Sequence, residues 1–164
     1  MKPRILIAGV GNIFHGDDGF GSEVARRLAN VPHSPEVRVV DFGIRGHDLG
    51  FALQDGYGAV ILLDVAQRGK PAGSLCVIEP DPETLAAASG EEALDTHGMH
   101  PLRVLRMLRA SGGVLPRIFL VTCEPESFGP EEGRMGLSHP VAAAVPGAVA
   151  LVQTLLPRMI AHES

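Results

Sequence analysis

An α/β fold is predicted for this chain: one domain spanning residues 1–164, with a twisted, mostly parallel sheet of about five strands and helices on both faces. Strand-like apolar segments alternate with helical patterns along the chain, which is typical of parallel α/β proteins. The segment Ala59–Asp64 is so continuously apolar that both of its faces should be buried, as in central parallel strands. No linker or internal repeat divides the 164 residues, so a single core is expected.

The predicted elements follow from apolar periodicity and from turn residues. The strand-like segments are Arg4–Ala8, Val37–Asp41, Ala59–Asp64, Gly73–Glu79 and Arg117–Cys123. A short connection rich in Gly and Pro precedes the fourth segment and predicts that it lies antiparallel to its neighbour. Helical patterns cover Gly21–Ala29, Gly43–Gln54, a segment around Leu102–Leu108, and a long final helix after Ser138 whose apolar stripe is Val141, Val145, Val149, Val152 and Leu156.

Composition excludes several classes of function. The formal net charge of -5 argues against binding to nucleic acid or to an anionic membrane surface. The apolar run Ile5–Val10 is shorter than a signal-peptide core and far short of the ~20 residues of a membrane span, so we expect a cytoplasmic protein. Cys76 and Cys123 show no Cys-x-x-Cys spacing and are expected to be unpaired thiols. Glu124–Arg134 is rich in charge, Pro and Gly and predicts a flexible surface loop.

Chemistry-bearing side chains follow the predicted strands. In a parallel α/β sheet, ligands bind beyond the carboxyl ends of the strands. Polar groups at those positions are Asn12, Asp17 and Asp18 after the first strand, Asp41 after the second and Asp64 after the third, while His97 and His100 precede a helix. Carboxylates and a histidine gathered at one edge can form an oxygen and nitrogen metal site with open coordination positions.

A nucleotide-binding loop is the competing interpretation of the first turn. Gly9-Val10-Gly11 after a strand begins the dinucleotide fingerprint, and Asp41 is placed to bind a ribose. Phe14 replaces the third glycine, which would remove the close helix–strand packing of that motif. Two consecutive acids, Asp17 and Asp18, would also repel a diphosphate at the helix N-terminus. A cation is therefore the preferred ligand.

Several short motifs follow one another along the chain in a defined order. The first loop reads Gly-Val-Gly-Asn-Ile-Phe-His-Gly-Asp-Asp-Gly-Phe-Gly from Gly9 to Gly21. It is followed by Asp41-Phe42-Gly43 with Gly46, Leu62-Leu63-Asp64-Val65, Pro71-Ala72-Gly73-Ser74, Thr96-His97-Gly98, Cys123-Glu124-Pro125-Glu126-Ser127-Phe128 and Gly136-Leu137-Ser138. This set spans nearly the whole chain and resembles the hydrogenase maturation proteases.

The resemblance implies a metal site and a substrate. Asp18 and Asp64 match the acidic ligands of that family, and His97 matches its histidine. The family is thought to sense nickel already inserted in the precursor of the large subunit of a nickel-iron hydrogenase, so the nickel would arrive with the substrate and no organic cofactor is expected. An endopeptidase that removes the C-terminal extension of that precursor is the implied function. We expect a monomer when the protein is free.

Several roles stay open at this stage. Asp18, or Asp17 beside it, is the candidate general base, and substrate contacts are expected at Gly43, Gly46 and Glu124. Asp17 is also a candidate N-terminal cap of the first helix, His100 is an alternative ligand to His97, and His15 is an additional nitrogen in the first loop. The alternatives for the whole chain are a non-catalytic metal-sensing chaperone of the same subunit and, less favoured, a nucleotide-binding domain.

Overall fold

One five-stranded sheet forms the centre of the molecule. A computed structural model describes residues 4–81, 106, 108–110 and 112–163. The strands are β1 (Ile5–Val10), β2 (Val37–Gly43), β3 (Ala59–Val65), β4 (Leu75–Ile78) and β5 (Arg117–Cys123), in the spatial order β2-β1-β3-β5-β4. β4 is antiparallel to β5, and the other neighbours are parallel, as predicted.

Helices cover both faces of this sheet, which confirms the predicted fold class. The helices are α1 (Phe20–Ala29), α2 (Gly46–Leu53) and α3 (His139–Glu163), and a short 3-10 helix, Gly16–Gly19, precedes α1. α1 and α3 pack on one face, where the buried core includes Ile7, Ile61 and Val121. α2 packs on the other face together with Leu108, and the described part of the predicted helix, residues 106 and 108–110, is helical.

The strands extend slightly further than predicted at the site edge. β1 ends at Val10 and β2 at Gly43, so Asp41 lies within β2 rather than after it. The Gly11 N–H donates to the Gly43 carbonyl at 3.0 Å, which continues the pairing of β1 and β2 beyond the apolar segments. Gly43 then takes a φ of +57°, which favours glycine, and α2 begins at Gly46 instead of Gly43.

The final helix carries the predicted apolar stripe. Val141, Val145, Val152 and Leu156 are buried in the core against α1 and the sheet, while Val149 is half-buried. Among the described residues, the His139–Ala161 segment is long and apolar enough to cross a membrane by length and composition. A core helix can satisfy the same criteria, and the buried stripe of this helix packs against α1 and the sheet.

Two glycines let α1 lie unusually close to the sheet. A Cβ added to Gly21 would lie 2.1 Å from the Leu63 carbonyl oxygen and 2.4 Å from that of Val10. A Cβ on Gly9 would lie 2.5 Å from the Gly21 oxygen. The sequence argument that Phe14 removes close helix–strand packing was therefore wrong, because Gly21 provides this packing from within α1.

Gly21→Ala should destabilise the fold by about 3 kcal/mol, because the added methyl would meet backbone oxygens that cannot rotate away. Gly147→Ala in α3 is the matched control. A Cβ at this position would meet only the Leu75 Cδ1 atom, at 3.3 Å, and Ala is more favourable than Gly in a helix interior by about 1 kcal/mol. Denaturant unfolding measures both variants. Equal stability of Gly21→Ala and the parent would contradict the close packing.

Candidate active site

The first loop folds back on itself so that Asp18 lies beside the end of β1. Gly11 has a φ of +133°, and a Cβ there would lie 1.9 Å from the Asp18 carbonyl oxygen, so only glycine fits. The Asn12 N–H donates to Asp18 Oδ2 at 2.8 Å, and the Asp18 N–H donates to the His15 carbonyl. The Asp18 side chain is therefore oriented by the backbone immediately after β1, and the residue is 9% exposed.

Asp64 lies at the same edge, near the end of β3. β1 and β3 are adjacent and parallel with Gly9 opposite Leu63, so Asp64 lies one residue further toward the carboxyl edge. Asp64 is half-buried, and its Oδ1 atom accepts the Val65 N–H at 2.8 Å. The 3-10 helix that carries Asp18 also contacts β3. The two predicted acidic ligands thus belong to one edge of the sheet.

Asp17 is fully buried, and both of its carboxylate oxygens are engaged. Oδ2 accepts the N–H groups of Glu126 and Ser127 at 2.7 and 3.0 Å and the Ser138 hydroxyl at 2.8 Å. Oδ1 accepts the Ser138 N–H at 2.7 Å. These donors come from the far end of the chain, so Asp17 joins the first loop to the segment that leads into α3.

The ionisation of Asp17 follows from those donors. Burial raises the pKa of Asp17. The hydrogen bonds from Ser127, Ser138 and Glu126 together lower this pKa by more than burial raises it, so it lies below the ordinary value of 3.8. Asp17 does not cap the first helix, as one sequence interpretation had it: the N-cap of α1 is Gly19, which makes no side-chain cap bond. That interpretation was wrong because the carboxylate bonds across the fold instead. The proposed role of Asp17 as a base stays a prediction.

The segment predicted to be a flexible loop is tied to the first loop at several points. The Gly16 N–H donates to the Arg134 carbonyl and the Arg134 N–H to the Phe14 carbonyl, both at 2.8 Å. The Asp17 N–H donates to the Ser127 carbonyl at 3.0 Å. The side chains of Phe14 and Met135, next to Arg134 in sequence, are both exposed, at 57% and 64%. The segment lies on the surface, yet its backbone is bonded to the loop that holds Asp18.

Glu124 plays a similar role on the other side of the site. It is 8% exposed, and its carboxylate accepts the N–H groups of Arg68 and Lys70 at 2.7 to 3.0 Å. Its backbone also bonds to Gly73 and Ser74. Glu124 therefore holds the loop that leaves β3 just after Asp64. The predicted substrate contact at Glu124 is untested by this arrangement.

The other predicted groups divide between the described edge and the rest of the chain. Gly43 and Gly46 lie half-buried at the end of β2 and the start of α2. Asp41 Oδ1 accepts the Ser22 hydroxyl at 2.7 Å and the Gly43 N–H at 3.0 Å, so the proposed ribose-binding acid is engaged locally. His97 and His100 lie outside the described residues. Within the described ranges no group of three or more His, Cys, Asp or Glu side chains is placed to hold a metal.

Sequence reasoning missed the partners of the two buried carboxylates. Ser138 was recognised only as a helix start, although its hydroxyl donates to Asp17. The backbone donors of Arg68 and Lys70 carry no side-chain signal at all. One signal was available: Glu124 directly follows a buried strand, where an isolated carboxylate would be costly without donors.

The family model for hydrogenase maturation protease matches residues 22–155. The chain belongs to the hydrogenase maturation protease family, and it is a hydrogenase maturation endopeptidase.

Similar proteins support this assignment over nearly the full chain. The chain is 32% identical to the hydrogenase 2 maturation peptidase of a Thaumarchaeota archaeon, with a TM-score of 0.71 and coverage of 94% of this chain and 98% of that one. It is 27% identical over 148 residues to the hydrogenase expression/formation protein HupD of Rhizobium leguminosarum, covering 90% of this chain and 71% of that protein. The fold also matches the hydrogenase maturating endopeptidase HybD of E. coli, with a TM-score of 0.78, 24% identity and coverage of 95% and 93%.

The two thiols should differ sharply in reactivity. Burial, followed by the negative charges of Asp17 and Glu124, raises the pKa of Cys123 to about 11, so this buried thiol stays protonated at pH 8. Cys76 is half-buried beside the Arg68 guanidinium. Iodoacetamide at pH 8 should label Cys76 in the native protein and both thiols after unfolding without reductant, as read by mass spectrometry. Native labelling of Cys123 first, or no labelling after unfolding, would contradict this.

Glu124→Gln should lower the free energy of unfolding by about 2–3 kcal/mol, because the neutral amide replaces a buried anion that accepts backbone N–H groups. Glu126→Gln is the matched control: Glu126 is exposed, and its backbone N–H, which the substitution keeps, makes the bond to Asp17. Chemical denaturation distinguishes the two. Equal destabilisation would argue against a loop-holding role for Glu124.

Proposed function

We propose that this endopeptidase removes the C-terminal extension of the precursor of a nickel-iron hydrogenase large subunit after nickel insertion, and that it works in the cytoplasm. The observation that carries this proposal is the placement of Asp18 and Asp64 at one sheet edge: Asp18 lies in the loop that follows β1, and Asp64 lies near the end of the adjacent strand β3. Family membership supports the peptidase activity.

The residues at this edge fit a nickel ion carried by the precursor. Carboxylate oxygens from Asp18 and Asp64 are suitable ligands, and each is held by a backbone N–H, which fixes one oxygen of each carboxylate. We propose His97 as the third ligand, because it matches the family motif. In this scheme the protein binds only a substrate that already contains nickel, so the metal reports that insertion is complete.

Of the two acids proposed as the base, Asp18 is better supported than Asp17. All four hydrogen bonds to the Asp17 carboxylate come from the protein itself, and its lowered pKa makes it a weak base. Asp18 is therefore proposed to orient or deprotonate the attacking water, with the bound nickel able to polarise the scissile carbonyl. Gly43, Gly46 and Glu124 surround this edge and are proposed to contact or position the substrate chain.

Asp64→Ala and His97→Ala should each reduce precursor cleavage by on the order of 100-fold or more while leaving the melting temperature nearly unchanged, since both remove a ligand rather than core packing. Matched controls are Asp55→Ala, an exposed residue, and His33→Ala, which precedes the start of β2; both lie toward the opposite end of the strands. The assay follows the mass loss at the C-terminus of the nickel-loaded precursor. Full cleavage by both ligand variants would refute the site.

Binding of the precursor by the parent protein without loss of mass would support the chaperone alternative instead.

Removal of metal provides an independent test of the same scheme. Because the two cores on the faces of the sheet consist of packed apolar side chains, chelation should abolish cleavage of the precursor but leave the melting curve of the free protein unchanged. Loss of the folded state with chelator would show that the metal is structural.

A further inference from the structure

The residue next to the candidate ligand Asp18 is held by a distant part of the chain. The carboxylate of Asp17 bonds to residues that lie 109, 110 and 121 positions later in the sequence. The 3-10 helix that contains both acids is only four residues long and has no side-chain cap. Its position must therefore come from contacts outside itself.

Those contacts lead to a single segment. The Gly16 N–H bonds to the Arg134 carbonyl, the Asp17 N–H to the Ser127 carbonyl, and the Asp17 carboxylate to residues 126, 127 and 138. Ser138 contributes both its N–H and its hydroxyl, and its own carbonyl accepts the Ala142 N–H in the first turn of α3. The first loop is thus fixed to the start of α3.

We propose that Asp17 and Ser138 form a latch that positions Asp18. Both are positioning residues: neither acts on the substrate, and Ser138 keeps Asp17, and with it the turn that carries Asp18, in the orientation that binds the metal. This inference rests on the proposed role of Asp18 as a ligand. It assigns a function to Ser138, whose place in the matched motifs the metal site alone does not explain.

The orientation of Asp18 can be read directly. Asp18 Oδ2 accepts the Asn12 N–H, so the Asn12 amide resonance reports the placement of this carboxylate whether or not metal is bound. A residue that stabilised the fold in general would change the melting temperature without moving this one resonance or the affinity for nickel. A positioning role for Ser138 can therefore be distinguished from a general contribution to stability.

The experiment compares Ser138→Ala with Ser138→Thr, which keeps the hydroxyl, and with Ser34→Ala as the matched control. The Ser34 hydroxyl oxygen accepts a hydrogen bond from the Glu36 N–H, and Ser34 lies before the start of β2, away from the site. We expect Ser138→Ala to shift the Asn12 amide resonance, weaken Ni²⁺ binding about 10-fold in calorimetry, and lower kcat for precursor cleavage more than it changes KM. Ser138→Thr should restore all of these, and Ser34→Ala should alter none.

An unchanged Asn12 amide resonance in folded Ser138→Ala would overturn the latch, as would Ni²⁺ affinity equal to that of Ser34→Ala. Asp17→Asn provides a stronger variant, and a larger loss of Ni²⁺ affinity is expected for it; if it does not fold, Ser138→Ala decides alone. Failure of the parent protein to cleave the nickel-loaded precursor would instead refute the proposed function. Cleavage by the parent with an unaffected Ser138→Ala would refute only the latch.

Discussion

The arrangement at the carboxyl edge depends on one buried anion, the carboxylate of Asp17. A charge removed from water is costly unless hydrogen-bond donors replace the lost hydration. Here the donors are the N–H groups of Glu126, Ser127 and Ser138 and the Ser138 hydroxyl. Because the anion requires these donors, the first loop and the segment before α3 can reach their observed positions only together. The hydrogen bonds of Asp17 therefore also fix the position of the turn that carries Asp18.

A second buried carboxylate holds a loop on the other side of the candidate site. Glu124 is nearly buried and holds the loop after Asp64 through the backbone of Arg68 and Lys70. Cys123 lies in β5 directly before Glu124, and burial, followed by the charges of Asp17 and Glu124, raises its pKa. Two buried carboxylates therefore fix the loop that carries Asp18 and the loop that follows Asp64. Asp18 and Asp64, the two acids proposed as nickel ligands, lie at the edge that these loops border.

Much of the fold could be predicted because its signals are local. β5 follows from the β-branched and apolar residues of Arg117–Cys123, and α3 follows from a stripe that recurs at helical spacing after Ser138. The antiparallel β4 followed from a connection too short for a crossover helix. The ends of β1 and β2 were misjudged because they depend on the bond between Gly11 and Gly43, which are far apart in sequence.

The site was predictable in its members but not in its supporting bonds. Asp18 and Asp64 could be identified because polar residues at or beyond the ends of strands, in motifs of known order, are local facts of the sequence. The pairing of Asp17 with Ser138 is a long-range contact, and a cap at the nearest helix was the simpler local expectation. The close approach of α1 was misread for a related reason: Gly21 substitutes for the fingerprint glycine from a different position.

The central claim is that Asp18, Asp64 and His97 share one nickel ion. Anomalous diffraction at the nickel edge, from crystals of this protein grown with Ni²⁺, tests it most directly. The account predicts one peak at about 2.0–2.2 Å from a carboxylate oxygen of Asp18, a carboxylate oxygen of Asp64 and an imidazole nitrogen of His97. A nickel peak bound elsewhere, with the Asp18 and Asp64 carboxylates turned away from each other, would contradict it.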